Sequence, residues 1–286
     1  MSTVEGPAHS GVPVQTTKIR PSSGWASLRL GEIWAFRELL YFFVWRDVRV
    51  RYKQTAFGAL WAIIQPLALM VVFTLVFSRL GGIAPEGVPY ALFAFAGLVP
   101  WTLFSSSLIG SSNSLVDSAA LLTKVYFPRL LLPIAASGSY LLDFGITILM
   151  LIGLMLILGV APTLAALWVV PLTILLLAAS VGVGIWLSAI NVRYRDVRYA
   201  IPFIAQLWLF ASPVAYSAAI IPEELWFFYH LNPMAGIIEG FRWALIGQNA
   251  DAPVAAVSLA AIVSGVVLTS GLAYFRRVER TFADVV

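Results

Sequence analysis

Residues 130–158 read LLLPIAASGSYLLDFGITILMLIGLMLIL, and they determine how the rest of the chain is interpreted. The stretch contains no Lys, Arg or Glu, and Asp143 is its one charged residue. A helix of about 20 apolar residues crosses the ~30 Å hydrocarbon layer of a bilayer, so this stretch is long enough to span a membrane. The unbroken run favours a helix, because strands of membrane barrels alternate apolar and polar residues.

The composition of the whole chain supports the same interpretation. Hydrophobic residues make up 60% of the 286 residues. Charged residues make up 11%, against about 25% in an ordinary soluble domain. The chain has no cysteine and two histidines, which excludes disulfides, thiolate chemistry and a multi-histidine metal site within one chain. We therefore predict an all-α integral membrane protein.

Six segments are predicted to be transmembrane helices, because each is near or above the length needed to cross the hydrocarbon layer. The fifth is short and carries Pro202 and Pro213, so its ends are the least certain. The six predicted spans are 57–77, 90–109, 130–158, 164–190, 200–217 and 253–275. Residues 1–30 are predicted to form a flexible cytoplasmic tail, and 276–286 a cytoplasmic C-terminus.

Residues 31–56 are predicted to form an N-terminal amphipathic interface helix, over 31–45, followed by a basic segment. Aromatic and aliphatic residues recur there at helical spacing, and Arg46 through Lys53 follow directly. Such a helix either lies in the membrane interface or packs on the protein as a short cytosolic helix. The interface position is the preferred interpretation.

The region 220–246 is apolar and aromatic, but Asn232-Pro233 divides it into two parts that are each too short to span. We predict short re-entrant helices on the outer face, between spans five and six. A seventh span would place Glu223, Glu224 and Glu239 in lipid, which is costly.

The distribution of Lys and Arg predicts the orientation of the chain. With the N-terminus inside, almost all basic residues that flank the spans lie on the cytoplasmic side, and only Arg79 and Arg242 lie outside. This bias follows the positive-inside rule and predicts that both termini are cytoplasmic.

Motifs for nucleotide hydrolysis are missing from the sequence. A P-loop requires Gly-Lys-Ser/Thr, but Lys18, Lys53 and Lys124 do not follow glycine. The one carboxylate near the middle of a span is Asp143. We expect Ser, Thr or Tyr hydroxyls or a backbone amide to hold it between packed helices, and a proton site is the alternative.

The spans are rich in aromatic residues, most of which core packing and interfacial belts would explain. The alternative is that some line a passage for sugars, whose apolar C–H faces can stack on aromatic rings. The candidate lining residues are Trp61, Phe73, Phe77, Trp208, Phe210 and Tyr216.

The segment joining spans two and three is a candidate docking element for a soluble partner. Leu121, Leu122, Val125 and Tyr126 can share one face of a short helix. Phe127-Pro128 would end the helix, because proline disfavours helix in the preceding residue. The alternative is a plain connector against lipid headgroups.

Several motifs together resemble one family. They are Arg46-Asp-Val-Arg-Val-Arg-Tyr-Lys-Gln-Thr-Ala-Phe-Gly-Ala-Leu-Trp61 with Gln65-Pro66, Leu122-Thr-Lys-Val-Tyr-Phe-Pro-Arg129, Asn191-Val-Arg-Tyr-Arg-Asp-Val197, Ser212-Pro213 and Asn232-Pro233. In this order, over roughly residues 33–280, the chain resembles the membrane (permease) subunit of ATP-binding-cassette (ABC) exporters of polysaccharides such as O-antigen, capsule or teichoic acid.

The resemblance implies a homodimer in the bacterial cytoplasmic (inner) membrane that binds two copies of a cytoplasmic ABC ATPase. The chain itself would hold no cofactor and would not be an enzyme, since ATP and Mg²⁺ would be bound by that partner. The substrate would be a lipid-linked glycan, in contact with membrane lipids, and nucleic acid would play no part.

The resemblance also implies three groups of site residues. The coupling helix would be 119–129, with Leu121, Leu122, Thr123, Lys124, Val125, Tyr126, Phe127, Pro128 and Arg129 contacting the ATPase. The substrate entrance would hold Arg46, Asp47, Arg49, Arg51, Tyr52 and Lys53. The outer gate helices, 220–246, would contribute Trp226, Phe227, Asn232, Pro233, Phe241 and Arg242.

The sequence leaves two other functions open. One is an exporter of the same superfamily that carries a drug or a simpler lipid. The other is a membrane-embedded transferase acting on lipid-linked sugars, for which Glu223, Glu224 and Glu239 are the candidate acidic cluster.

Overall fold

The structure is a computed structural model that describes residues 30–53, 60–77, 88–194, 196–247 and 251–279. The predicted tail, the start of span one, Arg79, Arg195 and the last residues of the C-terminus lie outside the described residues. The described ranges contain helices and no strand, so the all-α prediction is confirmed for them.

Twelve α-helices lie within these ranges, with three short 3₁₀ helices at Leu164–Trp168, Ala218–Ile220 and Glu223–Leu225. The α-helices are α1 (Leu30–Ala35), α2 (Arg37–Lys53), α3 (Leu60–Phe77), α4 (Tyr90–Asp117), α5 (Ala119–Leu122), α6 (Leu131–Ser139), α7 (Leu141–Ile157), α8 (Val169–Arg193), α9 (Val197–Phe210), α10 (Trp226–His230), α11 (Pro233–Ile246) and α12 (Val254–Val278).

Five of the predicted spans correspond to helical segments that are long and apolar enough to cross a membrane. These segments are Leu60–Phe77, Tyr90–Asp117, Leu131–Ile157, Leu164–Arg193 and Val254–Val278. The chain is therefore a multi-pass membrane protein by the length and composition of its helices.

The segment predicted as span five, 200–217, is the exception. Its helix, α9, is apolar but has 14 residues, which corresponds to about 21 Å at 1.5 Å per residue. The helix ends at Phe210 because Ser212-Pro213 follows, and proline disfavours helix in the preceding residue. Residues 211–217 continue as turns and irregular chain.

The helix of span two is longer than the predicted 90–109 and ends at Asp117. Its extra turns are rich in serine, and these hydroxyls donate to carbonyls within the same helix, as Ser112 does to Leu108 and Ser114 to Ser111. Serine can therefore be buried there. Hydropathy alone ended the predicted span at residue 109.

Helix α4 forms the centre of the bundle and packs against α3, α6, α7, α8 and α11. Phe95, Phe104 and Leu108 are fully buried in it. Helix α8 in turn packs closely on α12. A Cβ at Gly182 would lie 2.9 Å from the Cα of Leu268, so glycine is required for this approach of the two helices.

Helix α2 differs from its prediction, because the basic residues from Arg46 to Lys53 lie within the helix and not after it. One side, with Phe43 and Val48 buried, faces the bundle, where α2 packs on α6. The other side carries exposed aromatic residues. These are Trp34 of α1 and Tyr41, Phe42 and Trp45 of α2.

Candidate functional site

The docking segment, residues 117–130, contains a shorter helix than predicted. Helix α5 covers Ala119–Leu122, and residues 125–128 have no regular structure. The prediction of a helix over 119–129 is therefore wrong in its length. Pro128 disfavours helix at Phe127, and Phe127 is 5% exposed with its ring 5.3 Å from that of Phe43.

The four apolar residues predicted to share one face of this helix are divided between two environments. Leu121 and Leu122 pack against the cluster that contains Phe127, whereas Val125 and Tyr126 are 53% and 87% exposed. Thr123 and Lys124 are also exposed. The surface available to a partner is thus 123–126, which we call the docking tip.

Phe127, Pro128 and Arg129 hold the docking tip to the rest of the protein. Besides the burial of Phe127, Arg129 donates from Nη1 to the backbone carbonyl of Glu279 over 2.6 Å, at the end of α12. A second contact lies close by, where Arg198 of α9 forms an ion pair with Asp117 at 3.3 Å. Both side chains of that pair are about half exposed.

Arg51, predicted as an entrance cation, forms an ion pair with Asp143. Arg51 Nη1 donates to the Asp143 carboxylate over 2.6 Å, and Nη2 donates to Ser139 Oγ over 2.8 Å. The guanidinium also lies 3.8 Å from the centre of the Tyr140 ring. The expectation that hydroxyls or a backbone amide hold Asp143 is therefore wrong, because an arginine holds it.

The other predicted entrance residues remain on the accessible side of α2. Arg46 is paired with the neighbouring Asp47 at 2.9 Å. Arg49 and Lys53 are exposed, with the Arg49 guanidinium 5.1 Å from the Trp45 ring. Together with Tyr52 they border a shallow depression on α2.

The six candidate lining aromatics are not equivalent. Trp61 and Phe210 are each 57% exposed. Phe73 is 6% exposed and contacts Phe77, which stacks on Tyr90. We therefore assign Phe73 to core packing, which corrects its prediction as a lining residue.

Trp208 and Tyr216, the remaining two, take part in polar contacts at the end of α9. Trp208 donates from Nε1 to Asn232 Oδ1 over 2.9 Å. The Tyr216 hydroxyl donates to the Phe210 carbonyl over 3.1 Å and accepts from the Tyr229 hydroxyl at 3.0 Å. Burial and this hydrogen bond raise the pKa of Tyr229 above its ordinary value, so it remains a neutral donor.

Residues 211–247, which we call the outer segment after the predicted outer position of 220–246, are organised around α11. Except for Glu239 and Trp243, every residue of this described helix is buried. Phe241, predicted as a gate residue, is fully buried against Phe144, so it belongs to the core. Trp226 and Phe227 of α10 are 36% and 54% exposed.

Asn232 and Pro233 begin α11 and also contact the end of α9. The Asn232 side chain accepts from the Met234 backbone amide at 3.1 Å, which caps the helix, and Pro233 occupies the first turn, where its missing N–H costs nothing. The Asn232 amide nitrogen donates to the Ala211 carbonyl and to Ser212 Oγ. One asparagine thus joins the two helices.

Arg242 is buried and surrounded by backbone carbonyls. Its guanidinium donates to Val214 over 2.7 Å, to Tyr216 over 3.2 Å and to Phe93 over 3.3 Å. It also lies 3.5 Å from the centre of the Phe93 ring. Gly97 provides the space, because a Cβ there would lie 2.7 Å from Arg242 Nη2.

The acidic residues considered for a transferase have separate environments. Glu239 lies 3.2 Å from Nε2 of the buried His230, whose ring stacks on Trp226 at 4.3 Å. Glu223 and Glu224 are exposed in a 3₁₀ turn. The structure therefore gives no support to a joint catalytic role for the three carboxylates.

Sequence reasoning missed several of these contacts. Tyr140, Ser139 and Gly97 were not singled out, and the pairing of Asp117 with Arg198 was not predicted. Arg46 and Asp47, which are adjacent in the sequence, do form an ion pair. Long-range pairs leave no local pattern in one sequence.

The fold and these contacts define a class of protein: a multi-pass helical membrane protein with an exposed docking tip beyond α4 and a polar-anchored outer segment. Within that class, the chain belongs to the ABC-2 type transporter family, whose family model matches residues 38–246. The matched region runs from α2 to the end of α11.

The chain is also similar to individual permeases along most of its length. It is 31% identical over 260 residues to the O-antigen export system permease protein RfbA of Myxococcus xanthus, covering 88% of this chain and 97% of that protein. It is 28% identical over 249 residues to RfbA of Klebsiella pneumoniae, covering 87% and 95%. It is 25% identical over 239 residues to the polysialic acid transport protein KpsM of Escherichia coli, covering 82% and 91%. The resemblance predicted from the sequence motifs is therefore confirmed.

Proposed function

We propose that the chain is the permease subunit of an ABC exporter that moves a lipid-linked polysaccharide out across the bacterial cytoplasmic membrane. The observation that carries this proposal is the similarity to O-antigen and polysialic acid permeases over nearly the full length of each protein. The family match covers the helices that would form the passage.

In this proposal the chain forms six spans, and both termini are cytoplasmic. Helix α9 would complete the fifth span together with residues 211–217. Helices α1 and α2 would lie in the inner membrane interface, since they expose Trp34, Tyr41 and Trp45 beside Arg49 and Lys53. Aromatic and basic side chains are suited to that position.

Two chains would form one passage, with two cytoplasmic ATPase subunits that bind ATP and Mg²⁺. The exposed sides of α3 and α9 support a dimer, because few of their residues are buried within one chain. Among the described residues, α3 buries Pro66 and Phe73, and α9 buries Ile201 and Ala205. Those open faces could meet a second copy across the passage.

The docking tip would contact the ATPase. Tyr126 and Val125 present an apolar surface beside Lys124, and Phe127 and Arg129 link that surface to α2 and α12. ATP-driven movement of the partner would therefore be transmitted through a segment that is attached to both α2 and α12. On the membrane side, Arg49 would meet the phosphate of the lipid carrier, since guanidinium suits phosphate oxygens.

Removing the gene in the organism that encodes the chain tests the proposal. We expect the surface polysaccharide to be lost and its lipid-linked form to accumulate inside the cells, with both effects reversed by the wild-type gene. Normal surface polysaccharide in the deletion strain would contradict polysaccharide export. It would favour an exporter of another amphiphile.

A variant pair connects the phenotype to the ATPase. Tyr126→Asp places a charge at the docking tip and is expected to abolish export and co-purification of the ATPase. Tyr41→Asp changes another exposed tyrosine, 70% exposed in α2, and is expected to leave ATPase co-purification intact.

A further inference from the structure

Helix α9 buries few of its side chains within one chain. Within this described helix, only Ile201 and Ala205 are buried. Tyr199 and Phe203 are 81% and 62% exposed, and Leu207 is 55% exposed. Polar contacts at its two ends therefore add to the burial of these two residues in positioning the helix.

The end of α9 next to the outer segment is fixed by Asn232. Trp208, near the end of the helix, donates to Asn232, and Asn232 donates to Ala211 and Ser212 in the following turn. Asn232 itself begins α11, which is almost wholly buried. The last turn of α9 is thus bound to a helix that has little freedom to move.

Arg242 fixes the residues that follow. Its guanidinium binds the carbonyls of Val214 and Tyr216, and that of Phe93 in the central helix α4. Charge-assisted hydrogen bonds of this kind are among the stronger polar contacts in proteins. Tyr90, also in α4, donates to the Ala215 carbonyl over 2.6 Å.

The opposite end of α9 has a much weaker attachment. Its ion pair is Arg198–Asp117, at 3.3 Å with both side chains about half exposed, and exposed pairs contribute little to stability. Pro202 follows one turn later and lacks an N–H, so it cannot bond the Arg198 carbonyl. Apart from the burial of Ile201, α9 therefore has a weaker polar attachment at this end than at the end near Phe210.

We propose that Asn232 and Arg242 are positioning residues that anchor the outer end of α9, and that the passage opens by movement of its Arg198 end away from Asp117. This inference rests on the proposed transport function. It changes the role expected of 220–246, because α11 becomes a fixed frame and not a moving gate. Asp117 begins the docking segment, so the movable end lies close to the proposed ATPase contact.

Because the natural chain has no cysteine, paired cysteines can carry nitroxide labels for pulsed electron paramagnetic resonance. The first pair, Tyr199→Cys with Arg277→Cys, reports on the movable end of α9. The second pair, Leu207→Cys with Val254→Cys, reports on the anchored end. All four side chains are exposed, and α12 supplies the reference positions in both cases.

The full chain is measured in lipid nanodiscs with its ATPase, before and after trapping with ATP and vanadate. Labelled chains are diluted with unlabelled chains, so that only distances within one chain contribute. We expect the Tyr199–Arg277 distance to shift and the Leu207–Val254 distance to remain. Equal shifts in both pairs, a shift of the second pair alone, or no shift in either would overturn the proposal.

Variants of the anchor are measured in the resting chain, without the ATPase. Arg242→Gln and Asn232→Ala should broaden the Leu207–Val254 distance distribution, whereas Arg193→Gln, an exposed control, should not. Arg242→Lys should restore the native width only in part, since one ammonium cannot reproduce the planar guanidinium. Should Asn232→Ala fail to fold, Asn232→Asp keeps the acceptor for Trp208 and removes the donor to Ala211.

A native width of the Leu207–Val254 distance distribution in the folded Arg242 and Asn232 variants would refute the anchoring role of these two residues. This resting measurement does not depend on the substrate or on ATP. A chain that exports no polysaccharide but shows the expected distributions would refute the proposed function and leave the anchor in place. A chain that exports polysaccharide but shows native distribution widths in the Arg242 and Asn232 variants would support the proposed function and refute the anchor.

Discussion

A carboxylate oxygen of Asp143 lies 2.6 Å from a guanidinium nitrogen of Arg51, although 92 residues separate the two in the chain. Asp143 is in the first turn of α7, where backbone N–H groups favour a negative charge. Arg51 is in the last turn of α2. The pair therefore joins α2 to the break between α6 and α7.

The first prediction concerns the stability of this junction. Asp143→Ala should lower the free energy of unfolding by about 1–3 kcal/mol, because it removes a charge-assisted hydrogen bond of the partly buried Arg51. Thermal unfolding of the purified chain in detergent would measure the change. Asp47→Ala removes a carboxylate paired with its immediate neighbour, so it should have a clearly smaller effect, and equal losses would contradict this assignment.

Five of the six predicted spans could be recognised from the sequence because hydropathy is a local property, and 130–158 is apolar whatever its neighbours are. The pairing of Arg51 with Asp143 could not be predicted, because the sequence near either residue does not indicate its partner. The end of α4 was misplaced for a related reason. Ser112 and Ser114 look polar in the sequence, but each hydroxyl finds a carbonyl in its own helix.

The docking segment likewise shows what could and what could not be predicted from the sequence. The sequence placed an exposed apolar element between spans two and three, but it could not tell Phe127, which is buried, from Tyr126, which is exposed. Both are aromatic and adjacent, and tertiary packing alone separates them. The role of Arg242 was likewise beyond the sequence, because its partners are backbone carbonyls that any residue would provide.

The second prediction uses this difference between adjacent residues. Tyr126→Ala should reduce co-purification of the ATPase while leaving the thermal stability of the chain almost unchanged, because the side chain is 87% exposed. Phe127→Ala should instead lower stability by about 3–5 kcal/mol, as expected for a buried phenylalanine. Thermal unfolding and quantitative pull-down of both variants would check the pair. A stable Phe127→Ala chain that has lost its ATPase would reverse the assignment.

The third prediction tests the space around Arg242. Gly97→Ala should destabilise the chain by about 1–3 kcal/mol, because the added Cβ would overlap the guanidinium. Gly145→Ala is the matched control, since no atom lies within 4 Å of its added Cβ. In a helix this change is expected to stabilise by about 0.5–1 kcal/mol. A loss of stability in Gly97→Ala together with a gain in Gly145→Ala would support the contact between Gly97 and Arg242. Destabilisation by both substitutions would contradict it.

The fourth prediction concerns the face of α9 that would line the passage. Ile204 is 45% exposed there, and Ile204→Trp adds bulk without adding charge. If this face lines the passage, export of polysaccharide should fall about tenfold or more, equivalent to about 1.4 kcal/mol on the limiting barrier. Binding of the ATPase should be unchanged, since Ile204 lies in the middle of α9 and is not part of the docking tip. Ile262→Trp is the control, because Ile262 is 63% exposed on α12 and would face lipid.

The readouts are surface polysaccharide and ATPase pull-down from the same cells. Full export by Ile204→Trp, or an equal loss by Ile262→Trp, would show that α9 does not line the passage.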